Sequence, residues 1–332
     1  MLASTRLGLA IIAALGVGVT AVLATQAGLG AIYAALDDVG WLGLAWVCML
    51  QLGSLMLCAG AWKVVADHTN FLSCLTARCI RDGVSNLAGI IPVAGEVAGA
   101  RALALLGATA GVAAASTVVD LAIESLSQAM YTIIGLLPFL FLVGRDEVTQ
   151  WLIAIAVAIM PICAAFIVTR RRSALETAER IIIRIARAMG LAQAGSELGL
   201  AGRVLDLYQR RRRIWLAVLL HLVGWFMGAV QVWAAAQAMD RPLTPGEALA
   251  IESLAYAARG AFFFVPWGAG VQEGAFVLVG AVLGIDAAGA IALSLVLRAR
   301  DILIGVPAII VWYTAEGWQR WLKRVRIPTR KP

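Results

Sequence analysis

Long unbroken apolar runs, with no period-two alternation, dominate this chain and predict membrane helices. Residues 7–36 contain no charged side chain, and 41–62, 151–169 and 214–239 each supply the roughly 20 apolar positions that a bilayer helix needs. Two further runs, 121–143 and 302–314, are also long enough to contribute crossings. On the first of these, Asp120, Glu124 and Gln128 recur at i, i+4 and i+8, which puts them on one helix face with Ser127 and Tyr131 nearby. A polar stripe of this kind turns toward the bundle interior, away from lipid.

The polar connections give the orientation. Lysine and arginine cluster at Arg6, at Lys63, Arg78 and Arg81, through 170–213, and in the tail from Arg320 to Lys331, which accounts for 21 of the 27 basic residues. The positive-inside rule puts these groups in the cytoplasm, together with both termini. The alternating connections at 25–40, 144–150 and 240–247 carry mainly Asp37, Asp38, Asp146, Glu147, Asp240 and Glu247, and are expected outside.

This alternation leaves 83–119 and 248–297 entering and leaving on one side, each as a broken re-entrant hairpin or a pair of crossings. The first reads GIIPVAGEVAGAR, with breaks at Pro92 and Gly95. The second reads RGAFFFVPWGAGVQEGAF, with breaks at Pro266, Gly268 and Gly270. An offset of 177 aligns Gly83 with Gly260, Glu96 with Glu273, Gly107 with Gly284 and Glu124 with Asp301, while Pro92 and Pro266 differ by 174. The expectation is an all-α polytopic membrane protein of two inverted-topology repeats, 1–147 and 148–332. Each repeat has three full crossings plus a hairpin, giving six to ten membrane segments in all. The second repeat includes the basic connection 170–213, where Arg180, Arg184 and Arg187 suggest an interfacial helix, and the basic tail.

Composition agrees: 61% hydrophobic residues, 14% charged and a mean hydropathy of +0.87 exclude a soluble two-domain protein. A net charge of +7 placed beside apolar spans points to anionic lipid head groups, with no nucleic-acid partner expected. The five cysteines form no C-x-x-C pair, and His68 and His221 lack a second ligand at metal spacing. No P-loop is present, so neither a metal nor another cofactor is expected.

Ionisable residues inside the apolar stretches are the candidate binding or transport groups: Glu96, Arg101, Asp120, Glu124, Glu252, Arg259, Glu273, Arg298, Arg300 and Asp301. At roughly 2.5–3.5 kcal/mol each in a span centre, they must pair or face a cavity. Frayed helix ends at the first hairpin can hold an anion such as a phosphate, which Glu96 would oppose unless Arg101 offsets it. The Asp120 stripe would neutralise arginines of the other repeat, and Glu273 would pair with Arg298 or Arg300 as ballast or as a gate. Spacings at Gly107/Gly111, Gly224/Gly228 and Gly280/Gly284 suggest close helix contacts.

The segments ESLAYAARGAFFFVPWGAGVQEGAFVLVGAVLGI and ALSLVLRARDILIGVPAIIVW, with IRDGVSNLAGIIPVAGEVAGARAL and STVVDLAIESLSQ, carry a resemblance over nearly the whole chain. They resemble the flippase-like transmembrane family related to the membrane region of lysylphosphatidylglycerol synthase, and within it the hopanoid-biosynthesis-associated HpnL-type branch. The first hairpin departs from that pattern by a shorter segment between Pro92 and Glu96. The resemblance implies a bacterial inner-membrane protein that moves hopanoids or another polar-headed lipid, such as an anionic phospholipid, between leaflets. Hopanoid biosynthetic or transport proteins would be its partners. Two other classes stay open: a hopanoid-modifying membrane enzyme or subunit using carboxylates such as Glu96 or Asp120, and a scaffold that gathers biosynthetic enzymes on 170–213. No paired nucleophile and base stands out, so catalysis is not the leading expectation.

Overall fold

The computed structural model describes residues 25, 29–88, 93–142, 171–177, 180, 199–241 and 243–325. Pro92, the apolar run 151–169, Arg184, Arg187 and all but the end of the first apolar run lie outside these described residues. Among the described residues the fold is all-helical.

The helices are α1 (Leu29–Val65), α2 (Phe71–Gly83), α3 (Ala94–Leu105), α4 (Ala110–Leu142), α5 (Leu200–Gln209), α6 (Arg211–Ala238), α7 (Pro245–Ala261), α8 (Val271–Val282) and α9 (Ala287–Val325). A π-helical turn, Val84–Ala88, extends α2, and a 3₁₀ turn, Pro266–Gly268, follows α7. Three described stretches are long and apolar enough to cross a membrane: Leu36–Val65, Ala110–Leu140 and Arg211–Ala238. They contain the expected run at 41–62 and most of those at 121–143 and 214–239, whereas the expected crossing at 302–314 lies in α9, which is not among these stretches. Inside α1 the backbone leaves helical geometry at Gly40, where φ is 56°, and the apolar run begins immediately after it.

The 177-residue offset also appears in the elements themselves. α3 and α8 are each 12 residues long and start at 94 and 271, and the helices after them start at 110 and 287. Each short helix is entered through a left-handed residue, Val93 (φ 66°) or Gly270 (φ 76°), and left through Gly107 or Gly284, both at positive φ. The packing repeats as well. α2 lies against α3 and α9, while α7 lies against α8 and α4; α1 and α6 pack along each other between the two groups.

Two apolar cores form at opposite ends of the long helices. One joins Trp62, Cys74, Ile80, Leu103, Ile123 and Val218; the other joins Val47, Phe139, Val232, Ile251, Phe276 and Leu293. α1, α4 and α6 contribute to both, so their middle turns must cross whatever lies between. Large apolar side chains on the outer faces, such as Trp46, Met49, Met56, Trp215, Leu219, Val306 and Ile310, are exposed as lipid-facing positions require. Lipid tails leave no hydrophobic drive between helices, so close backbone approach supplies contact. At Gly83 an added Cβ would sit 2.9 Å from the Gly305 carbonyl oxygen, and at Gly224 it would sit 3.1 Å from Cys58 Sγ.

Candidate functional site

Between the two cores the middle turns of α1, α4 and α6 are polar. Gln51, Ser54 and Cys58 of α1, Glu124, Ser125 and Gln128 of α4, and Gly224, Trp225 and Gly228 of α6 line a cavity of about 240 Å³. Arg78, Arg81 and Asp82 of α2, Ser85 and Asn86 of the π turn, Glu96 of α3, Tyr256 of α7 and Arg300 of α9 complete the wall. A second chamber of about 290 Å³ lies between the two hairpin tips and shares Ser85, Glu96 and Leu121 with the first. Its rim is different: Phe263, Phe264, Val265, Pro266 and Trp267 face Val93, Ala94 and Gly95.

Three charge networks hold these walls. In the first, Arg78 Nε lies 3.0 Å from Asp82 Oδ1, and both terminal nitrogens of Arg78 donate to Glu124. Arg81 donates to Asp120 at 2.8 Å and to Glu124 at 2.7 Å, and lies 3.4 Å from Glu96. His221 Nε2 is 3.0 Å from Asp120 Oδ1. The stripe of α4 therefore does face inward, with Gln128 Nε2 donating to the Tyr256 carbonyl. Its arginines, however, come from α2 of the same half, which corrects the expected cross-repeat neutralisation. The reason is local: α2 and α4 flank the same hairpin, and two turns of α2 present Arg78 and Arg81 together.

The second network ties the halves. Arg300 donates to Asp301 and to Gln231, and Gln231 Nε2 donates to Gln51 Oε1 at 3.1 Å. Arg259 reaches Gln272 at 3.0 Å and Asn86 at 3.1 Å, so it bridges the tips of both hairpins. Glu252, 1% exposed on α7, has no hydrogen-bond partner at Oε1 among the described residues, and Gly228 leaves room for it.

The third network closes the second hairpin. Arg298 binds Glu273 at 3.0 Å and donates to the carbonyls of Trp267 and Gly268 at 2.6 and 3.1 Å. Glu273 Oε2 also accepts from the Gly270 amide at 2.9 Å. Of the two expected partners, the structure brings Arg298 to Glu273 and gives Arg300 to Asp301. Pro266, Gly268 and Gly270 form the break, with positive φ at Trp267, Gly268 and Gly270. Gly95 serves the first hairpin by proximity: a Cβ there would lie 1.9 Å from Ser85 Oγ.

Arg101 is a correction. Its side chain is 47% exposed and pairs with Glu316 at 2.7 Å, so it neither lines the cavity nor offsets Glu96. Arg81 takes that role. Arg78 and Arg81, which the positive-inside pattern assigns to a cytoplasmic loop, are 5% and 3% exposed within the first network. A signal was present, because Arg78, Arg81 and Asp82 fall at i, i+3 and i+4 on an amphipathic segment. Gln51, Asn86, Tyr256 and Gln231 carried none beyond polarity inside apolar runs. One further grouping was invisible to spacing: donor atoms of Cys58, Glu124 and His221, from three helices, lie within 4.8 Å of one another.

Fold and site together define an all-α membrane protein with a charged cavity buried between two similarly built halves. The chain belongs to the lysylphosphatidylglycerol synthase TM region family, whose model matches residues 7–308. Membership places the protein among membrane proteins of lipid-related processes. Comparison with curated proteins and with solved structures found no match.

Proposed function

We propose that the protein is a flippase-like lipid transporter of the bacterial inner membrane, with two inverted repeats, residues 1–147 and 148–332, and both termini in the cytoplasm. The observation that carries this reading is the pair of joined chambers. The inner one is walled by charge, and the one at the hairpin tips is rimmed by Phe263, Phe264 and Pro266. A polar head group fits the first environment while an acyl or polycyclic tail stays with the apolar rim and lipid. Non-helical backbone at membrane depth is tolerated where it lines such a cavity. The shared 177-residue register supports the repeat, and broken helices meeting between inverted repeats are a transporter arrangement. The favoured cargo is a hopanoid or another polar-headed lipid, which leaves chemically unchanged.

The test is leaflet exchange of a fluorescent head-group-labelled lipid in proteoliposomes. Wild-type protein is expected to expose the inner-leaflet pool to an impermeant quencher, and Leu121→Trp, which fills the neck between the chambers, is expected to stop this without preventing insertion. Equal exchange by both proteins would overturn the reading. In cells lacking the protein, hopanoids should all be made yet stay in the inner membrane. A missing hopanoid species would point to an enzyme instead.

A further inference from the structure

We propose that Cys58, His221 and Glu124 form a binding site for a divalent transition-metal ion, best suited to zinc, in the wall of the inner cavity. The three side chains come from α1, α6 and α4, and one donor atom of each lies within 4.8 Å of the other two. Thiolate, imidazole and carboxylate are the zinc donor set, and tetrahedral bonds of about 2.0–2.3 Å would draw the donors to roughly 3.3–3.7 Å apart. The side chains need close by only about 1 Å to reach that geometry.

Each donor can offer a lone pair, His221 and Cys58 by releasing a proton as the ion binds. His221 is fully buried, and its Nε2 is engaged by Asp120, which leaves Nδ1 without a hydrogen-bond partner. A carboxylate behind an imidazole is the usual support of a metal-bound histidine, since it holds the tautomer whose other nitrogen is bare. Glu124 accepts two hydrogen bonds at Oε2, from Arg78 and Arg81, and one at Oε1, from Arg78. Of its about four lone-pair sites one remains, on Oε1. Cys58 packs over Gly224, one helical turn from His221 on α6, and gives up its thiol proton to the solvent when the ion binds.

The local charge also calls for a cation. Asp82, Glu96, Asp120 and Glu124 supply four carboxylates against the two guanidiniums of Arg78 and Arg81. The surplus of two negative charges, three once Cys58 has given up its proton, favours a divalent cation at this point. Cys58 and Glu124 line the cavity, so three protein ligands leave the fourth position facing it, open to an oxygen ligand.

The site stands independently of lipid movement, and so does its test. Full-length protein in detergent, freed of any affinity tag and stripped with chelator, is titrated with Zn²⁺ and with Co²⁺. We expect one zinc per chain, a thiolate-to-cobalt charge-transfer band in the near ultraviolet, and protection of Cys58 from maleimide labelling by zinc. Cys58→Ser and His221→Gln should abolish the band and weaken zinc binding at least tenfold, while Cys74→Ser should change neither. Absence of stoichiometric zinc in the wild-type protein, or wild-type affinity in Cys58→Ser, overturns the proposal. If Cys58→Ser fails to fold, the labelling experiment decides on wild-type protein alone: a Cys58 labelled equally with and without zinc overturns it.

Discussion

The two hairpins share a backbone and differ in their wiring. α3 and α8 have equal length, start 177 positions apart and carry a glutamate at the same point, Glu96 or Glu273. Glu273 is clamped by Arg298 from the following helix and by the amide of Gly270, whereas Glu96 makes a 3.4 Å contact with Arg81 from the preceding helix. Arg81 already has Asp120 and Glu124. Glu273 and Arg298 thus form a neutral clamp within the second half. The first leaves its glutamate on the walls of both chambers. The bend recurs 177 positions apart, but the charge at each bend takes different partners.

The largest expected effect separates the clamps. Arg298→Met strands Glu273, which is 3% exposed, and leaves two carbonyls unpaired; breaking a buried pair in this way costs about 3–5 kcal/mol. Glu96→Gln, at the equivalent position to Glu273, should cost less than about 1 kcal/mol, since its pair is longer and 20% exposed on the acid side. Thermal unfolding of the two variants in one detergent checks the contrast, and equal losses would erase the distinction drawn between the hairpins.

The hairpin entries give the next test. Val93 holds a left-handed conformation that is met 177 positions on by a glycine, Gly270. Val93→Gly should therefore stabilise by about 1 kcal/mol and Gly270→Val destabilise by at least that much. A Val93→Gly protein that melts earlier than wild type would contradict the assigned strain.

Glu252→Gln should leave stability within about 1 kcal/mol of wild type, because no partner is lost at Oε1. A loss of several kcal/mol would reveal a bonded carboxylate there.

The smallest effect lies outside the membrane spans. Burial opposes ionisation of Asp67, but hydrogen bonds and charge from Arg213 and Arg210 outweigh it and hold the carboxyl below its usual value of 3.8. A carboxyl lowered by folding stabilises above the unfolded value and loses that contribution as pH falls through the folded one. The pair is partly exposed, so Asp67→Asn should cost less than about 1 kcal/mol at pH 7. That difference should shrink as pH falls below the usual carboxyl value and vanish once pH is below the lowered folded value. A difference that persists at low pH would assign it to packing.

Much of this architecture was legible along the chain. Apolar length announces a bilayer helix, and glycine and proline announce a break, because each rests on local backbone physics or on the thickness of lipid. The inward face of Asp120, Glu124 and Gln128 followed from helical period alone. Partner choice did not follow. Arg78 and Arg81 look like loop charges, and only the packing of α2 against α3 shows them buried; Arg101 looks like the partner of Glu96, yet it points outward to Glu316. Cys58, Glu124 and His221 are far apart in sequence and come together only because α1, α4 and α6 cross between the two apolar cores. By itself the sequence determined that 41–62 and most of 121–143 and 214–239 lie on helices long and apolar enough to cross a membrane, and that the chain breaks around Pro266. The tertiary structure decided which charges meet, because a buried charge takes the nearest opposite charge in space, and that distance depends on how helices pack.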